Sequence, residues 1–176
     1  MRDDIASMLL DRLGDTHPGL RTRSRDWTWD AVVRESAARG ALATELRGPG
    51  PFHIGVLLDN TADFVFWLGA AALAGATIVG INPTRGPADM AADIRHADCQ
   101  LLITDAARLP LLQNLDTGVA PDRILCTDSP EYAAALEVAP APAEGNKEEA
   151  ARLMWLNQEM GTQHNYIEEP EVAADY

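Results

Sequence analysis

Lysine is almost missing from this chain: of its 14 basic residues only Lys147 is a lysine, and the others are arginines. Cysteine is scarce too. Cys99 and Cys126 lie in apolar, strand-like runs with no ligand spacing around either, which excludes a disulfide framework or a zinc site and leaves two buried free thiols as the expectation. His17, His53, His96 and His164 are scattered and read as surface or core-edge residues, with no metal or catalytic cluster. Net positive charge is lacking altogether. A balance of −13 and a pI near 4.5 argue against nucleic acid and anionic membrane surfaces as partners. GxxxxGK[ST], GxSxG, HExxH and CxxC do not occur. The acid pairs Asp3/Asp4, Glu148/Glu149 and Glu168/Glu169 sit in polar terminal segments, where a solvated face is the simpler account than general acid–base work.

What remains is an ordinary globular composition, 47% hydrophobic over 176 residues, enough for one domain with a real core. The opening MRDDIASMLLDRLGD reads as an amphipathic helix rather than a signal peptide, so the cytoplasm is the expected location. LRTRSRDWTW reads as a strand or hairpin. The next segment is a helix with Thr28 as N-cap, with Trp29, Val32, Val33, Ser36, Gly40, Ala43 and Leu46 on one face, ended by RGPGP. A rhythm then begins. HIGVLL (53–58) is a buried strand, and a helix follows with cap candidates Asp59, Asn60 and Thr61 and an end at Gly75. ATIVGIN is expected to be a second buried strand, PTRGPADMAADIRHAD a helix with Pro87 in its first turn, and QLLITD a third strand. AARLPLLQNL reads as a short helix interrupted by Pro110, and DRILCTD as a fourth strand. Such alternation predicts an α/β fold, a partial parallel sheet of βαβ units with flanking helices.

The apolar stretch Phe64 to Ile81 reaches the lower length limit for a membrane span. Gly75 in its middle, the β-branched residues after it and the lack of a flanking basic cluster favour a helix and a strand instead, which argues against a membrane-anchored small protein. Three segments are expected: an α/β subdomain over 1–138, an Ala/Pro linker over 139–145, and an acidic tail over 146–176 with one helix. From Glu144 to Tyr176 there are eight acidic and two basic side chains, and the composition shifts to Asn, Gln, Met and Glu. KEEAARLMWLNQEM places Ala150, Leu153, Met154 and Met160 near one helical face, and HNYIEEPEVAADY reads as an acidic, poorly ordered end.

The first βα turn, LLDNTADF, has no glycine, so the dinucleotide fingerprint is missing, and the residues alone show a soluble α/β module with no active site. Residues 53–105, with the helix over Trp29 to Leu46 before them, resemble the N-terminal part of acyl-CoA synthetases of the adenylate-forming, AMP-binding superfamily, above all the fatty-acyl-CoA ligases of actinobacteria. The ordered set is Ile54 to Asn60, Trp67 to Pro83 and Asp98 to Asp105, and a weaker likeness continues through RILCTDSPEY (123–132). The resemblance implies activation of a carboxylic acid with ATP and Mg²⁺ to an acyl-adenylate, then transfer to coenzyme A. It also implies a Ser/Thr/Gly-rich phosphate loop ending in lysine soon after the linker. Gly161 and Thr162 are the only echo of that loop, beside Glu159, Glu168 and Glu169, and Lys147 stands in neither lysine context. No catalytic, cofactor-binding or metal residue is therefore carried over, and no cofactor is expected for this chain itself. Two readings follow: a truncated or frameshifted ligase, inactive alone and expected to expose apolar surface and self-associate, whose tail is unrelated to the parent, or a short non-catalytic interaction or regulatory module that pairs with a full-length synthetase.

Overall fold

The computed structural model describes residues 4–139. Asp4 caps α1 (Ile5–Leu10), its carboxylate accepting from the Ser7 N–H at 2.7 Å. An antiparallel hairpin of β1 (Pro18–Arg21) and β2 (Asp26–Thr28) leads into α2 (Trp29–Glu45), capped by the Thr28 hydroxyl, which accepts from the Ala31 N–H at 3.2 Å. The alternating part then runs through β3 (His53–Leu57), α3 (Ala62–Ala74), β4 (Thr77–Gly80), α4 (Pro87–His96), β5 (Cys99–Thr104), α5 (Leu109–Leu112), β6 (Ile124–Cys126) and α6 (Pro130–Val138). The last four strands form one sheet in the order β4-β3-β5-β6, and every pair in it is parallel.

Alternation along the strands divides the core into two layers. Ile54, Val56, Leu101 and Ile103 face α2, α3 and α6 and pack with Leu42, Ala43, Trp67, Ala70 and Tyr132. Leu57, Cys99 and Leu102 face the other way, onto Met90 and Ile94 of α4 and Leu112 of α5. Each fully buried side chain of this size is worth about 1.5–3 kcal/mol. The α2–α3 contact is made close by small residues: a Cβ on Gly69 would overlap Ser36, and one on Gly40 would stand 3.2 Å from the Ala70 carbonyl. The Ser36 hydroxyl is buried there and donates to the Val32 carbonyl at 2.8 Å, so the close approach strands no polar group.

The apolar stretch that could have been a span is resolved into two elements. α3 closes at Gly75, whose φ of 66° is left-handed, and β4 begins two residues later. Among the described residues no helix is long and apolar enough to cross a membrane.

Four sequence expectations need correction. β4 is an edge strand, with Thr77 and Gly80 exposed and Ile78 and Val79 half-buried, because the chain crosses back over β3 to place β5 on its far side. Pro110 does not interrupt a helix: it lies in the first turn of α5, where a missing N–H costs nothing. The inward face of α2 includes Asp30, Arg39 and Leu42, which the apolar pattern left out, while Trp29 and Leu46 are only half-buried. Finally, α6 is a helix where none was expected, begun by Ser129 as N-cap and Pro130. Ala139, the first residue of the expected linker, is buried against the core. The remainder of that linker, the acidic tail and Lys147 lie outside the described residues.

Candidate functional site

In an open parallel sheet a ligand crevice is expected beyond the carboxyl ends of the strands where the strand order reverses. Here β3 is followed by β4 on one side and β5 on the other, so that point lies between the ends of β3 and β5. Two acidic residues mark it, Asp59 after β3 and Asp105 after β5, and Arg108 reaches across to both. Arg108 Nη1 donates to Asp105 Oδ2 at 2.7 Å, and the Arg108 backbone N–H donates to the other Asp105 oxygen at 2.8 Å. Arg108 also pairs with Asp59, an exposed side chain. From the end of β6, Asp128 accepts from the Ala106 N–H at 2.8 Å. Thr61 caps α3 at the same end of the sheet.

The charge of this crevice is decisive. Hydrogen bonding to Asp59, with Asp105 adding to it, holds the Arg108 guanidinium above its ordinary value. Asp59 and Asp105 both pair with that cation, Asp128 adds a further carboxylate at the end of β6, and the first βα turn offers no glycine nest. These residues do not fit the phosphates of a nucleotide or of coenzyme A. Among the described residues there is also no group of three or more His, Cys, Asp or Glu side chains placed to hold a metal ion.

A second polar cluster lies inside the α2–α3–α6 layer. Arg39 is 5% exposed. It donates to Asp63 from Nε at 3.2 Å and from Nη2 at 2.6 Å, and from Nη1 to the Glu35 carboxylate at 2.7 Å and the Glu35 carbonyl at 2.9 Å. Its guanidinium also stands over the Phe66 ring at 4.8 Å and the Tyr132 ring at 5.8 Å. Burial works against the charge, but Tyr132, Glu35 and Asp63 together raise its pKa above the ordinary value. The Trp67 indole N–H donates to the Tyr132 oxygen at 3.1 Å. Burial pushes the Tyr132 phenol up to about 12, Arg39 opposing the shift and Asp63 adding to it. A phenol so displaced stays neutral, as does the Cys99 thiol, which burial and Asp98 raise to about 11. Neither is an activated nucleophile.

Three of the four histidines lie within the described residues. His17 is exposed beside Asp15, His96 is exposed, and His53 bonds the Ala97 carbonyl through Nδ1 at 2.6 Å, while His164 lies outside the described residues. Cys99 and Cys126 are free thiols, the first buried and the second half-buried. The Asp59–Arg108–Asp105 clasp escaped sequence reasoning, which saw Asp59 only as a cap candidate.

The sequence model described as AMP-binding enzyme matches residues 17–172. The chain belongs to the AMP-binding enzyme family. The match runs through the change of composition near Gly145, which removes the ground for treating the acidic segment as foreign to the family. The chain is 55% identical over 163 residues to a steroid-22-oyl-CoA synthetase of Rhodococcus jostii strain RHA1, covering 92% of this chain and 29% of that protein. It is 38% identical over 106 residues to a medium/long-chain-fatty-acid–CoA ligase of Mycobacterium tuberculosis, covering 60% of this chain and 20% of that one. The chain thus spans less than a third of the length of these curated relatives. Among solved structures, a fatty acyl CoA synthetase of Mycobacterium tuberculosis superposes with a TM-score of 0.67 at 19% identity, over 80% of this chain and 30% of that one. The anthranilate CoA ligase AuaEII in complex with anthranoyl-AMP gives 0.66 at 22% identity, over 81% of this chain and 28% of that one. At these identities the superpositions establish the fold: an α/β layer like the N-terminal domains of adenylate-forming enzymes.

Proposed function

We propose that this chain forms the N-terminal layer of an ATP-dependent acid–CoA ligase and supplies scaffold rather than reacting groups. The ligase as a whole would join a carboxylic acid to AMP with release of pyrophosphate, then exchange AMP for coenzyme A. The acid is a steroid side-chain carboxylate rather than a simple fatty acid. The observation that carries this choice is the 55% identity to the steroid-22-oyl-CoA synthetase over nearly the whole chain, against 38% over a shorter stretch for the fatty-acid relative. The scaffold role rests on the acidic, clasped crevice and on the neutral Tyr132 and Cys99. ATP and coenzyme A as co-substrates point to the cytoplasm.

The test is pyrophosphate exchange into ATP, with the chain alone and after mixing with the remaining length of the Rhodococcus synthetase. The chain alone is expected to give no acid-dependent exchange, and the mixture to recover it with a steroid-22-oic acid in preference to palmitate. Exchange by the chain alone would overturn the scaffold role, and a palmitate preference in the mixture would overturn the substrate.

A second reading is a non-catalytic module that pairs with a full-length synthetase. The open edge of β4, which offers a partner a strand to pair with, favours it. Co-purification of the chain with an intact synthetase would separate it from the first.

A further inference from the structure

α6 is joined to the rest of the layer by very little. Of its nine residues only Tyr132 is buried, while Pro130, Glu131, Ala133, Ala134, Glu137 and Val138 are exposed. Its start is fixed locally, by the Ser129 hydroxyl accepting from the Tyr132 N–H at 3.1 Å. Its side is fixed by one aromatic residue, whose oxygen takes the Trp67 indole proton and whose ring lies under the Arg39 guanidinium. Arg39 in turn is tied to α3 through Asp63 and to its own helix through Glu35. On the outer side of this contact a groove of about 340 Å³ separates α6 from α2, lined by Arg34, Glu35, Ala38, Leu136 and Glu137 among others. The helix is therefore undercut on one flank, while on the other Tyr132 holds it with only the half-buried Ala135 and Leu136 beside it.

We propose that α6 is a strap that opens as a unit while the sheet stays closed, with the Trp67–Tyr132–Arg39 contact as its lock. The physical basis is the uneven distribution of contacts. Elements with few buried apolar neighbours open at a free energy below that of global unfolding, and α6 is such an element, whereas β3 and β5 are buried through most of their length. Opening withdraws Tyr132 from Trp67 and Arg39, removes Leu136 and Glu137 from the groove wall, and frees Ala139 from the core. The layer then has two states that differ in where the chain leaves it. Arg39 holds its charge partners Asp63 and Glu35 in both states, so the lock reforms without reassembly of the cluster beneath it.

Hydrogen exchange on the whole 176-residue chain tests this. In the wild type the amides of α6 are expected to exchange faster than those of β3 and β5. Tyr132→Phe, which deletes the acceptor of the Trp67 proton and keeps the ring, is expected to speed α6 exchange about fivefold, while β3 and β5, which lose the same bond on global unfolding, speed up by no more than that and stay slower than α6. Exchange of α6 in step with the two strands in the wild type would overturn the proposal without any variant. So would a Tyr132→Phe chain in which α6 does not respond.

Discussion

Arg39 of α2 and Asp63 of α3 meet through two hydrogen bonds, at 3.2 and 2.6 Å, across 24 residues of sequence. The arginine is almost wholly buried and the carboxylate is about one-third exposed, so the two sides of the pair are unequal. Removing Asp63 leaves a buried cation with Glu35 still attached, and removing Arg39 leaves two carboxylates that water can reach. Breaking a fully buried pair costs about 3–5 kcal/mol, and the partial exposure of Asp63 and Glu35 reduces that here. Asp63→Ala is expected to lower stability by about 1–2 kcal/mol and Arg39→Met by about 2–3 kcal/mol, also through lost packing on Phe66 and Tyr132. Urea unfolding of both variants and the double variant checks this, with the double costing clearly less than the two singles together.

Two glycines of the same helix region should respond to alanine for different reasons. Gly75 has a φ of 66° and open space around its absent Cβ, so Gly75→Ala tests backbone conformation alone and should cost about 1 kcal/mol. Gly69 has ordinary helical geometry but faces Ser36 too closely for a methyl group, so Gly69→Ala should cost about 1–3 kcal/mol by overpacking. Adding Ser36→Gly should recover part of the second loss and none of the first. Thermal melts of the four chains distinguish the two mechanisms.

That contrast also explains what could be learned before the fold was known. Thr28, Thr61 and Gly75 declare themselves because capping acts within a few residues, and the βαβ alternation is a local pattern repeated. The position of β4 at an edge is set by strand order, which no run of residues encodes, so its β-branched sequence read as buried. Arg39 reads as surface on any helical wheel. Only the convergence of α2, α3 and α6 gives it buried partners. The helix after Ser129-Pro130 has a local start signal, a serine N-cap followed by proline in the first turn. At the candidate site, Asp59 and Arg108 are 49 positions apart, and only the reversal of strand order beside β3 brings them together.

Alkaline pH should destabilise the chain in two steps. Burial, with Asp98, raises the Cys99 thiol from 9.0 to about 11, and burial raises the Tyr132 phenol from 10.0 to about 12 against the opposing pull of Arg39. In both cases the folded state holds its proton at pH values where the unfolded chain has lost it. The contribution is complete below the unfolded pKa and is lost as pH rises to the folded one, so stability falls between pH 9 and 12. Each group is worth at most about 3 kcal/mol. Denaturant titrations from pH 8 upward should show Cys99→Ser flattening the part of the fall that begins near pH 9, and Tyr132→Phe the part that begins near pH 10. An unchanged slope in both variants would assign the fall to other groups.

The crevice offers a test of whether charge, rather than shape, keeps anions out. Asp105 is mostly buried and accepts two hydrogen bonds from Arg108, so Asp105→Asn should cost about 1–2 kcal/mol, whereas the exposed Asp59→Asn should cost less than about 1 kcal/mol. Together the two substitutions leave Arg108 without its carboxylate partners in the crevice at the carboxyl ends of β3 and β5. The double variant should then bind pyrophosphate with a Kd on the order of 1 mM, a free energy of about −4 kcal/mol. The wild-type chain should show no saturable binding by calorimetry in the same range. Salt should weaken the variant's affinity, because an exposed guanidinium–phosphate contact is screened. If the wild type binds as well as the double variant, the carboxylates do not control access, and the crevice is an anion site as it stands.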